Sequence, residues 1–283
     1  MNSNKTKYSF LKTYKNRQLT LFLIISLFGF ASMLNGQIIN EIHDKSFDFE
    51  GVAMVDINMA DQAKAVAIQP DGKIVVGGHS GMAALNDFTV VRLNTDGSLD
   101  TDFDSDGKVT TTVTNVDDYL EDLAIQADGK IVAVGSANSD IAIVRYNTDG
   151  SLDTGFNSDG IDTLNINSTD YAKAVAIQSD GKIVVGGYTG MVALRDFIIV
   201  RYNSDGSLDT GFDTDGKVVT AVSGVDDYLE GLAIQSDGKI IAVGYSNNDI
   251  AVVRYNTDGS LDTGFGSNGI IIQSVNTGGD YAY

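Results

Sequence analysis

Four arginines recur at one place in a repeated phrase, and a recurring aspartate follows each. Arg92, Arg145, Arg201 and Arg254 stand in V-R-[LY]-N, and Asp100, Asp153, Asp209 and Asp262 stand in the following D-G-S-L-D-T. An arginine inside an apolar strand must be paired, because an isolated buried charge is very costly. The four are therefore read as structural residues, each tying a turn to a strand; a ring of arginines facing a ligand is the alternative. A second group is Asp102, Asp104 and Asp106, in D-x-D-x-D-G, which opens like a calcium-binding EF-hand loop. It makes Ca2+ the one candidate cofactor. The twelfth position, where a bidentate Glu belongs, is Val113, and the other units carry Gly155, Gly211 and Gly264 in place of Asp102. Asx turns account for the same aspartates more simply.

Residues for covalent or acid–base catalysis are scarce. The chain has no Cys, which excludes a thiolate nucleophile, a thiolate metal site and a disulfide framework. Its two histidines, His43 and His79, lie in dissimilar surroundings, so a nucleophile–His–carboxylate arrangement has no repeated support. The carboxylate pairs Asp117-Asp118 and Asp226-Asp227 could serve as acid and base, but solvated turns on an acidic surface are the simpler account. The expectation is a chain without catalytic activity. A carboxylate-based polysaccharide lyase or hydrolase is the rival reading.

The elements that position these residues are repeats. I-Q-x-D-G-K recurs with its Gln at 69, 126, 178 and 235, giving a unit of 52 to 57 residues. A second period lies above the first: residues 51–159 match 160–268 at 77 of 109 positions, so a pair of units was itself duplicated. The units run about 51–106, 107–159, 160–215 and 216–268, with the start of a fifth at 269–283. Each reads as four short strands punctuated by Asp-Gly turns. The first three strands are apolar on both faces, and the last alternates, as in Lys108-Val109-Thr110-Thr111-Thr112-Val113. Strands apolar on both faces lie in a sheet covered on both sides, and a strand with one polar row lies at an edge. The fold class is thus all-β: a β-propeller of four-stranded blades of about 55 residues. First strands are expected near 65–69, 122–126, 174–178 and 231–235.

Residues 1–36 hold five basic residues, no acidic one, and an apolar run from Leu19 to Leu34. This reads as a signal peptide, and the run is short for a membrane span. Without the leader cations, the chain's −19 becomes −24 over residues 37–283. Such a surface repels phosphate backbones, so nucleic acid is not an expected partner. The mature chain carries no membrane span.

The pattern A-I-Q-x-D-G-K-I-V-x-x-G, followed by D-[FI]-x-[IV]-V-R-Y-N-x-D-G-S-L-D-x-x-F, resembles the bacterial delta-60 repeat. It covers about residues 47–283. The resemblance implies a propeller in a secreted or surface protein and little about activity. The expected function is a secreted or cell-surface binding or structural module whose extracellular ligand is a protein or a polysaccharide, with a Ca2+-dependent adhesin as an alternative. Odd units carry a longer loop after G-G, and even units carry V-D-D-Y-L-E before the first strand. Variable loops on a repeated frame are the expected ligand contacts. Gly51–Ile57 reads as a surplus outermost strand, and Asp280-Tyr281-Ala282 repeats Asp170-Tyr171-Ala172. The expectation is therefore an incomplete ring that associates through open edges, within a parent ring of six or eight blades.

Overall fold

The computed structural model describes residues 44, 46–48, 51–81, 85–191 and 194–274. The expected leader at 1–36 and the stretch from 275 to 283 lie outside them. Four sheets of four antiparallel strands form, each in chain order. The first comprises β1 (Ala60–Ile68), β2 (Ile74–Gly81), β3 (Asn86–Leu93) and β4 (Lys108–Thr111). The second comprises β5 (Asp118–Ile125), β6 (Ile131–Ala137), β7 (Asp140–Tyr146) and β8 (Ile161–Leu164). The third comprises β9 (Asp170–Ile177), β10 (Ile183–Met191), β11 (Leu194–Tyr202) and β12 (Lys217–Thr220). The fourth comprises β13 (Asp227–Ile234), β14 (Ile240–Ser246), β15 (Asp249–Tyr255) and β16 (Ile270–Gln273). No α-helix occurs among the described residues.

The turn chemistry sets the first hairpin of each blade. In the first, Gly72 sits at φ 86°, its N–H donates to Gln69 O at 2.9 Å, and Gln69 N–H closes the turn on Lys73 O at 2.8 Å. The same bonds recur at 126–130, 178–182 and 235–239. Glycine is needed there for the positive φ. A different glycine serves close approach: a Cβ on Gly135 would stand 1.9 Å from Tyr119 O on the paired strand, and Gly78, Gly187 and Gly244 meet the same obstacle. All four lie beside a register shift in the pairing of the first two strands, a bulge present in every blade.

The middle strands are buried because each blade is covered by the next. Val75, Phe88 and Val90 of the first sheet pack on Leu120, Ile131 and Val144 of the second. Equivalent clusters join the second sheet to the third and the third to the fourth. Phe103, Phe156 and Phe212, from the D-G-S-L-D-T-x-F phrase, are fully buried in these seams.

Three features differ from the sequence reading. First strands begin four or five residues earlier than expected, because their opening half holds buried aspartates (Asp118, Asp170 and Asp227) that hide the apolar pattern. The blades are out of step with the sequence units: β4 lies in the unit 107–159 but pairs with β3. Residues 51–57 form no strand, only an isolated bridge between Asp48 and Val52, since among the described residues no strand stands beside them to pair with. Their side chains are nevertheless ordered by packing: Ala53, Val55 and Ile57 lie against Ile74, Val76, Val91 and Leu93.

Candidate functional site

The two ends of each blade carry different chemistry. At the end where β3, β7, β11 and β15 finish, each repeated arginine meets its aspartate. Arg92 Nε donates to Asp100 Oδ2 at 2.5 Å, and the Arg145–Asp153, Arg201–Asp209 and Arg254–Asp262 distances are all 2.7 Å. The lysine of D-G-K joins every pair: Lys73, Lys130, Lys182 and Lys239 reach the same carboxylate oxygens at 2.8 to 2.9 Å. The phenylalanine below stacks under the guanidinium, with Arg145 Cζ 4.6 Å from the Phe156 ring centre. A further bond crosses the seam. Arg92, Arg145 and Arg201 donate through Nη1 to the carbonyls of Thr148, Ser204 and Thr257 on the following blade. Burial pushes Asp100, Asp153 and Asp209 up, but the lysine and arginine contacts outweigh it and hold them below the ordinary carboxylate range. The lysines were legible only as part of D-G-K, and nothing in their local sequence announces the aspartate they reach.

Asp102, Asp104 and Asp106 are exposed on the turn after this triad. Asp106 Oδ1 accepts the Lys108 N–H at 2.9 Å, and Asp104 N–H donates to Asp149 O of the next blade at 2.7 Å. Among the described residues no group of three or more carboxylates or histidines is placed to hold a metal ion.

The opposite end is where the first strands begin. The paired aspartates prove to have divided tasks. Asp118 is fully buried and accepts from Val113 N–H, Thr114 N–H and Thr114 Oγ1, and Asp227 does the same for Val222 and Ser223. Asp117 and Asp226 reach back to the preceding blade, accepting the N–H of Asn86 and of Arg195, each at 3.0 Å. They lock an even blade to the odd hairpin before it. They are neither a free acid–base pair nor simple solvated turns.

Around them stands an aromatic cluster: the variable segments set apart in the sequence, Tyr188–Arg195 and V-D-D-Y-L-E, supply Tyr188, Arg195 and Tyr228, but their meeting with one another and with Tyr171 and Tyr245 was not read there. Tyr171 and Tyr188 pair across β9 and β10 with ring centres 5.1 Å apart; Tyr188 meets Tyr228 at 4.9 Å, and Tyr228 stacks on Tyr245 at 4.8 Å. All four are half-buried. Arg195 lies over the Tyr188 and Tyr228 rings, at 5.6 and 5.2 Å, and donates to Tyr228 Oη. Its buried Nε has no hydrogen-bond partner among the described residues. In the first pair of blades the matching positions hold His79 and Tyr119, edge-on at 4.9 Å, and Asn86 in place of Arg195. Burial, then the charge of Lys64, holds His79 below its ordinary pKa, so it is neutral at pH 7. His43 lies outside the described residues. Nearby, on the first strand of each sheet, matched positions carry Lys64, Glu121, Lys173 and Glu230; Glu121 Oε2 lies 3.7 Å from Lys64 Nζ and 3.5 Å from Lys173 Nζ. A tyrosine two residues into the first strand of three consecutive blades was the available signal for this cluster.

A family model described as "Domain of unknown function (DUF5122) beta-propeller" matches four times, over residues 69–103, 126–156, 178–212 and 235–265. No curated protein matches the chain. Among solved structures, virginiamycin B lyase from Staphylococcus aureus is 15% identical, covering 76% of this chain and 56% of its own, with a TM-score of 0.44. A gluconolactonase from Xanthomonas campestris is 13% identical over 70% of this chain and 60% of its own, with a TM-score of 0.37. Sqt1 from Chaetomium thermophilum is 15% identical over 80% and 52%, with a TM-score of 0.45. This chain spans little more than half the length of the lyases it matches. The expectation of a chain without catalytic activity is corrected by these matches. A fold of this kind decides by itself neither for nor against chemistry. The likeness is one of fold, and no activity is carried over from it. Over its described residues the chain is all-β, with four four-stranded blades built on a recurring β-propeller repeat.

Proposed function

We propose that this chain is an exported binding module of the delta-60 type that holds a neutral saccharide at the tyrosine end of its blades. The observation that carries this reading is the Tyr171–Tyr188–Tyr228–Tyr245 cluster with Arg195 laid across it. Half-buried aromatic faces offer an apolar platform for the C–H face of a sugar ring, and a few convergent polar groups beside such a platform fix orientation. Arg195 and Asp226 supply donors and an acceptor within the same rim. The large negative charge of residues 37–283 argues against a polyanion and for a neutral polymer. The basic-then-apolar leader supports export to where such polymers lie.

Affinity electrophoresis through gels containing neutral glucan, mannan or xylan, with alginate as the anionic comparison, tests the reading. Retardation by a neutral polymer, lost in Tyr228→Ala and Arg195→Gln while the melting temperature holds, is the expected result. No retardation by any neutral polymer, or equal retardation of both variants, contradicts it.

A further inference from the structure

Three first strands carry a tyrosine as their second residue: Tyr119 on β5, Tyr171 on β9 and Tyr228 on β13. These strands follow one another across the seams. Glu121 on β5 pairs with Lys173 on β9 at 3.5 Å, and Asp122 Oδ2 accepts the Val175 N–H at 2.8 Å. Tyr188, opposite Tyr171 on β10, meets Tyr228 on β13. The three tyrosines therefore stand in a row at one end of the blades, and the cluster around Arg195 occupies only part of it.

The other part lies at the seam between the first two blades, and it is built on the same frame. Asp117 accepts the Asn86 N–H as Asp226 accepts that of Arg195, each at 3.0 Å, and Asp118 and Asp227 are both fully buried beside them. The surrounding side chains differ: Gln62, His79, Asn86 and Ser136 stand where the second pair of blades has Tyr171, Tyr188, Arg195 and Tyr245. Hydrogen bonding decides which polar atoms are left over. Asn86 Nδ2 donates to Asp117 Oδ1 at 2.9 Å and, more distantly, to Tyr119 Oη at 3.5 Å. Both amide protons are then engaged, and Asn86 Oδ1 is left as an acceptor beside the Tyr119 hydroxyl proton. The second pair is the reverse. Tyr228 Oη accepts from Arg195 and donates to Asp226 Oδ2 at 3.4 Å, while Arg195 Nε lacks an acceptor among the described residues. One end of the row thus offers an acceptor and a hydroxyl, and the other offers guanidinium donors.

We propose that the Asn86–Tyr119 seam is a second subsite, and that the row from Tyr119 through Tyr171 to Tyr228 takes an extended neutral polysaccharide chain. A sugar hydroxyl donates to Asn86 Oδ1 at one end, and a hydroxyl or ring oxygen accepts from Arg195 at the other. The inference rests on the reading of the tyrosine end as a saccharide site; it adds a subsite and a preference for long chains over short ones. Two weak subsites on one rigid frame act together, because a ligand held at one meets the other at high effective concentration.

Titration calorimetry of the full chain with cello-, manno- and xylo-oligosaccharides of graded length tests this. In a series that binds, affinity should rise at least about tenfold from the shortest binding member to the longest. Asn86→Ala and Tyr119→Phe should each remove that rise and leave the shortest member's affinity unchanged, whereas Arg195→Gln weakens every member. Should Asn86→Ala lower the melting temperature, Tyr119→Phe, which keeps the ring, decides. Affinity that stays flat with length, or a rise that persists in either folded variant, overturns the second subsite and leaves the tyrosine cluster as a saccharide site. Binding of no member of any series overturns both.

Discussion

Arg145 Nε lies 2.7 Å from Asp153 Oδ2 within its own blade, while its Nη1 donates to the carbonyl of Ser204 in the next. One guanidinium therefore closes a turn and clasps a seam. Replacing Arg145 with Ala leaves the buried Asp153 carboxylate with Lys130 and the Gly155 N–H alone, and takes the Arg145 donor from the Ser204 carbonyl. A loss of about 3 kcal/mol is expected from urea denaturation at neutral pH. Arg254→Ala, at a partly exposed pair without a described next-blade acceptor, should cost less than about 1 kcal/mol. Equal losses would mean that the seam bond contributes nothing.

Gly135 and Gly224 make a second contrast. A Cβ at Gly135 would collide with Tyr119 O at 1.9 Å, a backbone atom of the paired strand that cannot move aside. Gly135→Ala should cost at least about 3 kcal/mol or prevent folding. Nothing lies within 4 Å of the same position at Gly224, which has no positive φ, so Gly224→Ala should stay within about 0.5 kcal/mol. The denaturation midpoints of the two variants check both statements.

Acid should act through the triads. Asp100, Asp153 and Asp209 are held below the ordinary carboxylate value by lysine and arginine contacts that outweigh burial. Their folded values lie below the unfolded ones, so their stabilisation is complete above about pH 4 and is lost as pH falls through the lowered values. Asp122, Asp162 and Glu230, raised by burial, have the opposite sign and relieve the fold slightly as they protonate above that range. Melting temperature should therefore drop steeply only below about pH 4. Asp153→Asn should be less stable at pH 7 and show a shallower acid limb. A wild-type midpoint that falls evenly from pH 7 would contradict this.

Divalent metal should not matter to stability. Asp102, Asp104 and Asp106 are exposed, and no metal-holding group forms among the described residues. Melting with excess chelator and with millimolar Ca2+ should agree within about 1 °C, since a cation bound only by the folded state would raise the midpoint by mass action. A Ca2+-dependent rise would establish a site and return the adhesin reading.

The strands and hairpins were legible because Asp-Gly turns and runs apolar on both faces have one cheap solution, a sheet stacked between copies of itself. The aspartates opening the first strands were not. A buried carboxylate such as Asp118 reads as a loop residue until the N–H groups of Val113 and Thr114 are seen to saturate it. The seam bonds were hidden for another reason: Arg145 and Ser204 are 59 residues apart, and nothing local to either suggests the other. The tyrosine cluster was concealed by burial pattern, since a half-buried tyrosine at a strand start reads as ordinary core. Only the stacking of blades brings Tyr188 and Tyr228 together from different repeats.

Hydrogen exchange on the intact chain, with and without a saturating neutral oligosaccharide, tests the central claim most directly. Amide protection should rise in 186–191, 194–197 and 226–229, around Tyr188, Arg195 and Tyr228, and stay unchanged in the turns at 149–153 and 205–209 on the other end of the blades. Protection confined to the arginine end, or no protection with any neutral saccharide, would contradict the assignment of the tyrosine end as the binding surface.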